Sequence, residues 1–430
     1  MSSGQDFLGD LRDRGLIQDS TDIAALAARL DEGPITLYCG FDPTADSLHI
    51  GNLQSLMLLR RFQEAGHRPL ALVGGATGMI GDPSGRSSER TFLDSATLDS
   101  NRDSIKAQIG RFLDFDSGEN SAVLVDNRDW TEPMSILEFL RDVGKHVTVN
   151  TMLAKDSVRS RIDRESGISF TEFSYQLLQA NDFEVLNRIH GCELQVAGSD
   201  QWGNITAGVD LARRRSGLRL HGLTAPLITR SDGSKFGKSE GENIWLSAQR
   251  TSPFRLYQYF LNIADEDIEK ILLKLTLVPV EEVRSIVADH SNEPHLRRGQ
   301  RRVAQELTAL VHGPDAVAPV EAASAIIFGS AIADADVSAF DVLAEELAGT
   351  DLSADALADM DLAELFVRTG LAKSKGELRR NAKGYYINQV SLEGRDLAEL
   401  ASNLSGEAVH GTFLLLQRGR NTHHLVRLQA

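Results

Sequence analysis

Ile35-Thr-Leu-Tyr-Cys39 runs directly into Gly40-Phe-Asp-Pro-Thr-Ala-Asp-Ser-Leu-His-Ile-Gly-Asn52, then into Leu53-Gln-Ser-Leu-Met-Leu-Leu-Arg-Arg-Phe-Gln-Glu-Ala-Gly66, and soon into Pro69-Leu-Ala-Leu-Val73. The first run is rich in β-formers and reads as a short strand. The second is punctuated by Gly, Asp and Pro and reads as a turn. The third is an amphipathic helix closed by Gly66. The fourth is almost wholly apolar, as a strand buried on both faces is. Strand, helix, strand at this spacing is a βαβ unit, and such units build parallel sheets. The expected fold class is therefore α/β.

Upstream, Leu8, Leu11, Leu16, Ile23, Leu26 and Leu30 stand at helical spacings, so residues 5–32 read as helical up to Gly33-Pro34. Downstream, strands are expected at Ala122–Val125 and Cys192–Ala197, and residues 253–330 read as mostly helical. Residues 331–361 hold nine Asp/Glu and no Lys, Arg or His. They read as an acidic, partly helical connector. Residues 362–430 reverse the sign, with ten Lys/Arg against six Asp/Glu.

A chain of 430 residues points to two or three domains. Its 42% hydrophobic and 25% charged residues are those of a soluble globular protein. The N-terminal residues lack a basic start followed by an apolar run, and no long uninterrupted apolar stretch occurs. Neither a signal peptide nor a membrane span is expected, which makes a cytoplasmic location the default. Two cysteines, Cys39 and Cys192, leave no disulfide framework and no Cys-rich zinc site. A net charge of −16 argues against indiscriminate nucleic-acid binding by the whole surface, but leaves room for a basic patch in the tail.

The turn after the first strand is where open α/β sheets bind ligands. Gly40 and Gly51 would let a nucleotide approach the backbone closely. The helix start near Asn52 offers free N–H groups to phosphates. Thr44 and His49 can donate to phosphate oxygens. Cys39 is either a small buried thiol or part of this site. Far downstream, Leu227-Ile-Thr-Arg-Ser-Asp-Gly-Ser precedes Lys235-Phe-Gly-Lys-Ser239. This polar, Gly/Ser-rich string reads as a loop whose Lys235 and Lys238 could clamp a triphosphate. Gly81-Asp-Pro-Ser-Gly-Arg-Ser-Ser-Glu-Arg90 adds Arg86 and Arg90 beyond the second strand, as cations for pyrophosphate. In Phe170-Thr-Glu-Phe-Ser-Tyr175-Gln-Leu-Leu-Gln179-Ala-Asn-Asp182, the residues Tyr175, Gln179 and Asp182 share one helix face. Spacing alone allows that face to be solvated or to line a site.

His49-Ile-Gly-Asn52 resembles the "HIGH" signature of class I aminoacyl-tRNA synthetases, with Asn52 in place of the second His. Lys235-Phe-Gly-Lys-Ser239 resembles their "KMSKS" signature. The Tyr175 helix, with Val196-Ala-Gly198-Ser-Asp200-Gln201-Trp-Gly-Asn204, looks specifically like the tyrosyl branch. That resemblance implies ATP-dependent activation of L-tyrosine and its transfer to tRNA(Tyr). It implies that Tyr38 and Asp182 bind the substrate phenol, and that Asp82, Tyr175 and Gln179 hold its ammonium. Gln201 would lie near the carboxylate. Cys39, Gly40, Asp42, Gly51, Asn52, Gly198, Asp200, Lys238 and Ser239 would lie along ATP. Thr44, His49, Arg86, Arg90, Lys235 and Lys238 would act on the phosphates. Mg²⁺ is expected as the partner of ATP, with no protein-caged metal. A homodimer is also implied.

The tail, with Leu362–Arg380, Gly384–Val390 and a closing hairpin at Phe413–Arg420 and His423–Leu428, resembles the S4-type RNA-binding fold. Arg368, Lys373, Lys375, Arg379, Arg380 and Lys383 could line an RNA backbone. The expected architecture is a Rossmann-like catalytic domain over 1–225 with a dimerisation insertion at about 120–190. A helical anticodon-side domain over 226–330 follows, then the acidic linker 331–361 and the S4-like domain 362–430. A tryptophanyl enzyme would lack this tail and this helix. A nucleotidyltransferase outside translation would need no phenol pocket. A non-enzymatic RNA-binding scaffold would have lost His49, Lys235 or Lys238.

Overall fold

The computed structural model describes residues 3–84, 93–116, 118–155, 158–159, 162, 167–234, 236–239, 242–329, 332, 335–358, 360–402 and 404–429. They form two compact units, one of residues 1–251 and 260–311, the other of 252–259 and 312–430.

The sheet of the first unit contains β1 (Asp19–Ser20), β2 (Thr36–Phe41), β3 (Arg68–Val73), β4 (Val123–Asp126), β5 (Cys192–Gly198) and β6 (His221–Ala225). Their order is β1-β6-β5-β2-β3-β4. The last five run parallel, and β1 closes one edge antiparallel to β6. The chain moves outward from β2 through β3 to β4, then returns to place β5 on the other side of β2. Such a reversal opens a crevice at the carboxyl ends of the two strands, β2 and β5. The βαβ reading therefore holds, with the helix at Ile50–Glu64 as the crossover. Leu37, Tyr38, Leu70 and Val73 are wholly buried, as strands covered on both faces require.

The N-terminal segment differs from a single helical stretch. It forms helices Gly4–Asp13 and Ile23–Asp31 with β1 between them. Gly15 turns the chain at φ 65°. Gln18 N–H then donates to the Thr224 carbonyl (2.7 Å), and Asp22 caps the second helix by accepting from Ala25 N–H (3.0 Å). The register is set by β6, a strand too short and distant to be read locally.

His67 follows the crossover helix and packs against the rings of Phe7 and Phe62, its Nδ1 accepting from Ile35 N–H at 3.3 Å. Burial, with Arg29 nearby, pushes its pKa down to about 4. An unfolded chain takes up this proton near pH 6.5, roughly the ordinary histidine value. As pH falls from there toward about 4, the unfolded state binds more protons than the folded one, and stability is lost. Urea midpoints are expected to fall between pH 7 and pH 5. His67→Gln should flatten that slope, since Gln can accept from Ile35 N–H without titrating; an unchanged slope would assign the acid sensitivity elsewhere.

The second unit is built around β9 (Ala348–Ser353), β10 (Tyr385–Ile387), β11 (Val390–Ser391), β12 (Phe413–Arg418) and β13 (Thr422–Gln429), in the order β11-β10-β12-β13-β9. In the first unit, β7 (Lys238–Ser239) and β8 (Glu242–Asn243) form a separate pair. The two faces of the five-stranded sheet are both covered. Phe413, Leu415 and Leu425 face a core with Ala323, Ile326, Phe340 and Leu343. Leu414, Leu416 and Val426 face another, with Leu362, Phe366, Leu378 and Tyr385. This is the two-residue period of a strand with apolar neighbours above and below.

The expected acidic connector is thus folded over its described residues. Val337–Glu346 is a helix whose Ala339, Phe340 and Leu343 are buried, and β9 pairs parallel with β13 along its whole length. Asp351 lies on the outer side and takes a two-pronged ion pair from Arg427 (2.9 and 3.0 Å), whereas the largely covered Glu346 side chain is held by Arg255 at 3.2 Å. Composition displays the acidic residues of this connector and hides the apolar ones, Phe340, Leu343 and Leu352, that the fold buries.

Candidate active site

Tyr38 stands in register with Leu70 of β3 and Gln195 of β5. It is fully buried, edge-to-face with Phe183 at 5.2 Å, and its hydroxyl has no hydrogen-bond partner among the described residues. Burial raises its pKa well above the ordinary value, and the charge of Asp182 adds to the shift. Asp182 projects from the helix Phe170–His190 and is 1% exposed. Its Oδ1 accepts from Trp130 Nε1 (2.7 Å) and its Oδ2 from Asn127 Nδ2 (3.0 Å). Burial outweighs these donors and pushes the carboxyl up to about 7. Asn127 is itself fixed, its Oδ1 accepting from Ala76 N–H at 2.8 Å. Asn127 and Trp130 were not singled out from sequence. The available signal was position: Asn127 is the first residue past β4, at the carboxyl edge of the sheet.

A second polar group lies along the same helix. Tyr175 Oη donates to Asp42 Oδ2 (2.8 Å), and Thr77 Oγ1 donates to Asp42 Oδ1 (2.7 Å). Asp42, expected beside ATP, is therefore tied to the Tyr175 ring. Burial raises the Tyr175 phenol well above its ordinary value, and Asp42, Asp82 and Asp182 push it further the same way. Three acids thus act on one phenol, and Asp42 is the one in contact with it. Asp82 Oδ2 accepts from Gln201 Nε2 (2.7 Å) and its Oδ1 from Ser84 N–H (2.9 Å). Asn204 Nδ2 donates to Gln201 Oε1 (2.9 Å), which fixes the direction of that amide. Gln179 Oε1 is buried and has no partner among the described residues. A Cβ on Gly74 would stand 2.0 Å from Asp42 Oδ1, so a larger residue there would displace the Asp42 carboxylate.

The residues expected beside the nucleotide lie at and after the ends of β2 and β5. Cys39 is buried and its thiol pushed up to about 12, chiefly by burial. Gly40 is exposed at the strand end, and Gly198 closes β5 with Asp200 two residues on. Thr44 is exposed. His49 caps the helix Ile50–Glu64: its Nδ1 accepts from Gly51 N–H (3.1 Å), and its own N–H donates to Asn52 Oδ1 (3.0 Å). Nδ1 as acceptor leaves the proton on Nε2, the nitrogen a phosphate oxygen could use. Asn52 has a structural task here, the reciprocal half of the cap.

The two signatures meet through their backbones. Ile244 N–H donates to the Gly237 carbonyl, Ile50 N–H to Ile244, and Leu246 N–H to Leu48, each at 2.8 Å. His49 and Trp245 form an antiparallel bridge, with ring centroids 6.2 Å apart. Gly237 lies at φ 85°, and a Cβ on it would stand 2.3 Å from Ile50 Cγ2. Segments nearly two hundred residues apart in sequence thus form one ladder. Arg86, Arg90 and Lys235 lie outside the described residues; for Lys238 and Ser239 the backbone alone, in β7, is described.

The basic residues of the tail belong to the other unit. Arg368, Lys373, Lys375, Arg379, Arg380 and Lys383 are all exposed. Lys375 pairs with Glu364 at 2.6 Å, and Arg379 with Asp361. Among the described residues, no cluster of three or more His, Cys, Asp or Glu could hold a metal ion, and no helix is long and apolar enough to cross a membrane.

Residues 30–329 match the family described as tRNA synthetases class I (W and Y). The chain is 50% identical over 426 residues to the tyrosine–tRNA ligase of Opitutus terrae, covering 98% of this chain and 99% of that one. It is 48% identical over 430 residues to that of Anaeromyxobacter dehalogenans, covering 99% and 100%. A solved C-terminally truncated mitochondrial tyrosyl-tRNA synthetase from Aspergillus nidulans superposes with a TM-score of 0.68 at 32% identity, over 73% of this chain and 92% of that one.

Proposed function

The chain belongs to the class I tRNA synthetase family of the tryptophan and tyrosine enzymes, and we infer that it acts within it as a tyrosine–tRNA ligase. It activates L-tyrosine with ATP to tyrosyl-adenylate, releasing pyrophosphate, and transfers the tyrosyl group to the 3′ end of tRNA(Tyr). The observation that carries the choice of tyrosine is the pairing of the buried Tyr38, whose hydroxyl has no partner among the described residues, with the buried carboxyl of Asp182. A buried hydroxyl without a hydrogen bond is costly, and a buried carboxyl gains from a further donor, so the two together fit a ligand that brings a hydroxyl.

In this reading the substrate phenol donates to Asp182 and accepts from Tyr38. Its ammonium sits among Asp82, Tyr175 and Gln179, while Gln201 lies toward the carboxylate. That carboxylate attacks the α-phosphorus in line. It is a nucleophile at neutral pH, so no general base is needed. Thr44 and the Nε2–H of His49 stabilise charge on the phosphate oxygens. Lys235, Lys238, Arg86 and Arg90 grip the departing pyrophosphate. Cys39, Gly40, Asp42, Gly51, Asn52, Gly198, Asp200 and Ser239 line the ATP. ATP enters as its Mg²⁺ complex, the ion belonging to the substrate.

Several further assignments accompany this one. Residues 1–225 serve as the Rossmann-like catalytic domain and 226–330 as the anticodon-side domain. Residues 362–430 act as an S4-like module whose basic side chains follow an RNA backbone. A homodimer through the insertion at about 120–190 accounts for the exposure of Ile136, Leu137, Val149 and Phe170, between 60% and 78%. A cytoplasmic location suits tRNA charging.

The test is amino-acid-dependent ATP–pyrophosphate exchange on purified protein. Exchange is expected with tyrosine and not with tryptophan or phenylalanine. Exchange with tryptophan would keep the family and overturn the roles of Tyr38 and Asp182.

A further inference from the structure

The helix Ile268–Leu275 touches both halves of the nucleotide site from behind. Its Leu272 and Leu275 are fully buried, and it packs on the helix Ile50–Glu64. Carbonyls in its last turn and in the segment just after it are taken by two arginines. Arg61 donates through Nη2 to the carbonyls of Leu273 (3.2 Å) and Thr276, and Arg14 donates through Nη1 to those of Leu273 (3.4 Å) and Val278 (3.0 Å). Cations at a helix C-terminus satisfy carbonyls that have no intrahelical partner. Arg61 is 6% exposed, so this contact is locked in the interior. Arg61 lies on the helix that His49 caps, about 18 Å along it at 1.5 Å per residue.

The same short helix reaches the other signature. Lys270 Nζ is paired with the buried Asp267 at 2.8 Å and also donates to the carbonyl of Thr229. Thr229 is the last residue before a tight turn. In that turn Gly233 N–H donates to the Arg230 carbonyl, Arg230 N–H to the Ser234 carbonyl (each 2.9 Å), and Ser234 N–H to Asp232 Oδ1 (2.8 Å). The turn leads into Lys235–Ser239. One end of that loop is fixed by the ladder from Gly237 to Ile50, and its root is held by Lys270.

We propose that Lys270 is a positioning residue for amino-acid activation, setting the root of the Lys235–Ser239 loop against the His49 helix through a bracket it shares with Arg61 and Arg14. The inference rests on the roles given above to His49 and that loop. The bracket contributes no group to the reacting atoms. It fixes where the loop starts relative to the phosphate-binding helix end, and small misplacements at such sites carry large rate penalties. Tyrosine binds at the Tyr38 and Asp182 side of the crevice and does not involve the loop.

The test compares Lys270→Met, which keeps the aliphatic stem, with Lys270→Arg, which restores a donor to the Thr229 carbonyl. Lys270→Met is expected to lower kcat for tyrosine-dependent pyrophosphate exchange by about tenfold, one decade in rate for a displaced loop. The dissociation constant for tyrosine, measured by equilibrium dialysis, stays within about twofold. The thermal midpoint falls in Lys270→Met, because the buried Asp267 loses its ion pair, and Lys270→Arg recovers both the midpoint and most of the rate. An unaltered kcat in Lys270→Met would overturn the proposal. So would parallel losses of kcat and tyrosine affinity, which mark a general structural role. Absence of exchange in the unmutated protein would instead remove the functional reading on which the proposal stands.

Discussion

Replacing Gly237 with alanine is expected to lower tyrosine-dependent pyrophosphate exchange by roughly a hundredfold, equivalent to about 3 kcal/mol of transition-state stabilisation. Two independent penalties act at this position. The backbone is left-handed, at φ 85°, a conformation that costs an L-residue about 1–2 kcal/mol. The added Cβ would also stand 2.3 Å from Ile50 Cγ2. Ile50 is wholly buried as the first residue of the helix that His49 caps, so it has no room to give way. The loop must move, and with it the 2.8 Å link from Ile244 N–H to the Gly237 carbonyl. Lys235 and Lys238, on either side of Gly237, are then delivered to the wrong place. Tyrosine affinity is expected to hold, because its proposed ligands sit across the crevice. Measuring kcat alongside the tyrosine dissociation constant separates the two effects. A kcat within threefold of the unmutated value would show that the loop acts in another position.

Asp182→Asn is expected to reduce kcat/KM for tyrosine by about 10²–10³, the loss of a charge-assisted hydrogen bond together with a buried group left badly paired. The carboxylate accepts from two N–H groups, Asn127 Nδ2 and Trp130 Nε1. An amide offers one oxygen, so its NH₂ must face a donor or face the substrate phenol. The unmutated protein should show a related pH dependence. Burial holds the Asp182 carboxyl near 7, so it becomes the ionised acceptor as pH rises through that value. The substrate phenol keeps its proton until about pH 10. KM for tyrosine is therefore expected to fall between pH 6 and pH 8, and that dependence should vanish in Asp182→Asn. A KM flat across this range in the unmutated protein would place the phenol elsewhere.

Much of the first unit was legible because its signals are local. The strand–turn–helix at Ile35–Gly66 carries its own turn residues, its own helix cap and its own apolar strand partners. Polar residues at helical spacing on Phe170–His190 identified a face, though only the fold shows that face to be buried. The missed features depend on distant partners. β1 and β6 are two and five residues long and define one another. Asn127 and Trp130 matter because the end of β4 lies beside a helix that begins some forty residues later. Asp42 sits in the turn that opens the nucleotide site, yet its carboxylate faces Tyr175 and Thr77. Residues 348–353 were read from their composition, which describes one side of a strand. The other side is decided by β13, roughly seventy residues further along the chain.

That last pairing has a consequence for how the chain is made. β13 lies between β12 and β9, antiparallel to one and parallel to the other. During synthesis β9 and the helix before it emerge from the ribosome long before Thr422–Gln429 exists. Until then Phe340 and Leu343 lack Leu425, and Phe366 lacks Val426, on opposite faces of an incomplete sheet. Residues 1–251 and 260–311 form a compact unit of their own and can begin to assemble while translation continues. The second must wait for its final strand and fold as a whole afterwards. A stop codon shortly before residue 422 would leave that apolar layer exposed, a product suited to capture by chaperones and proteases.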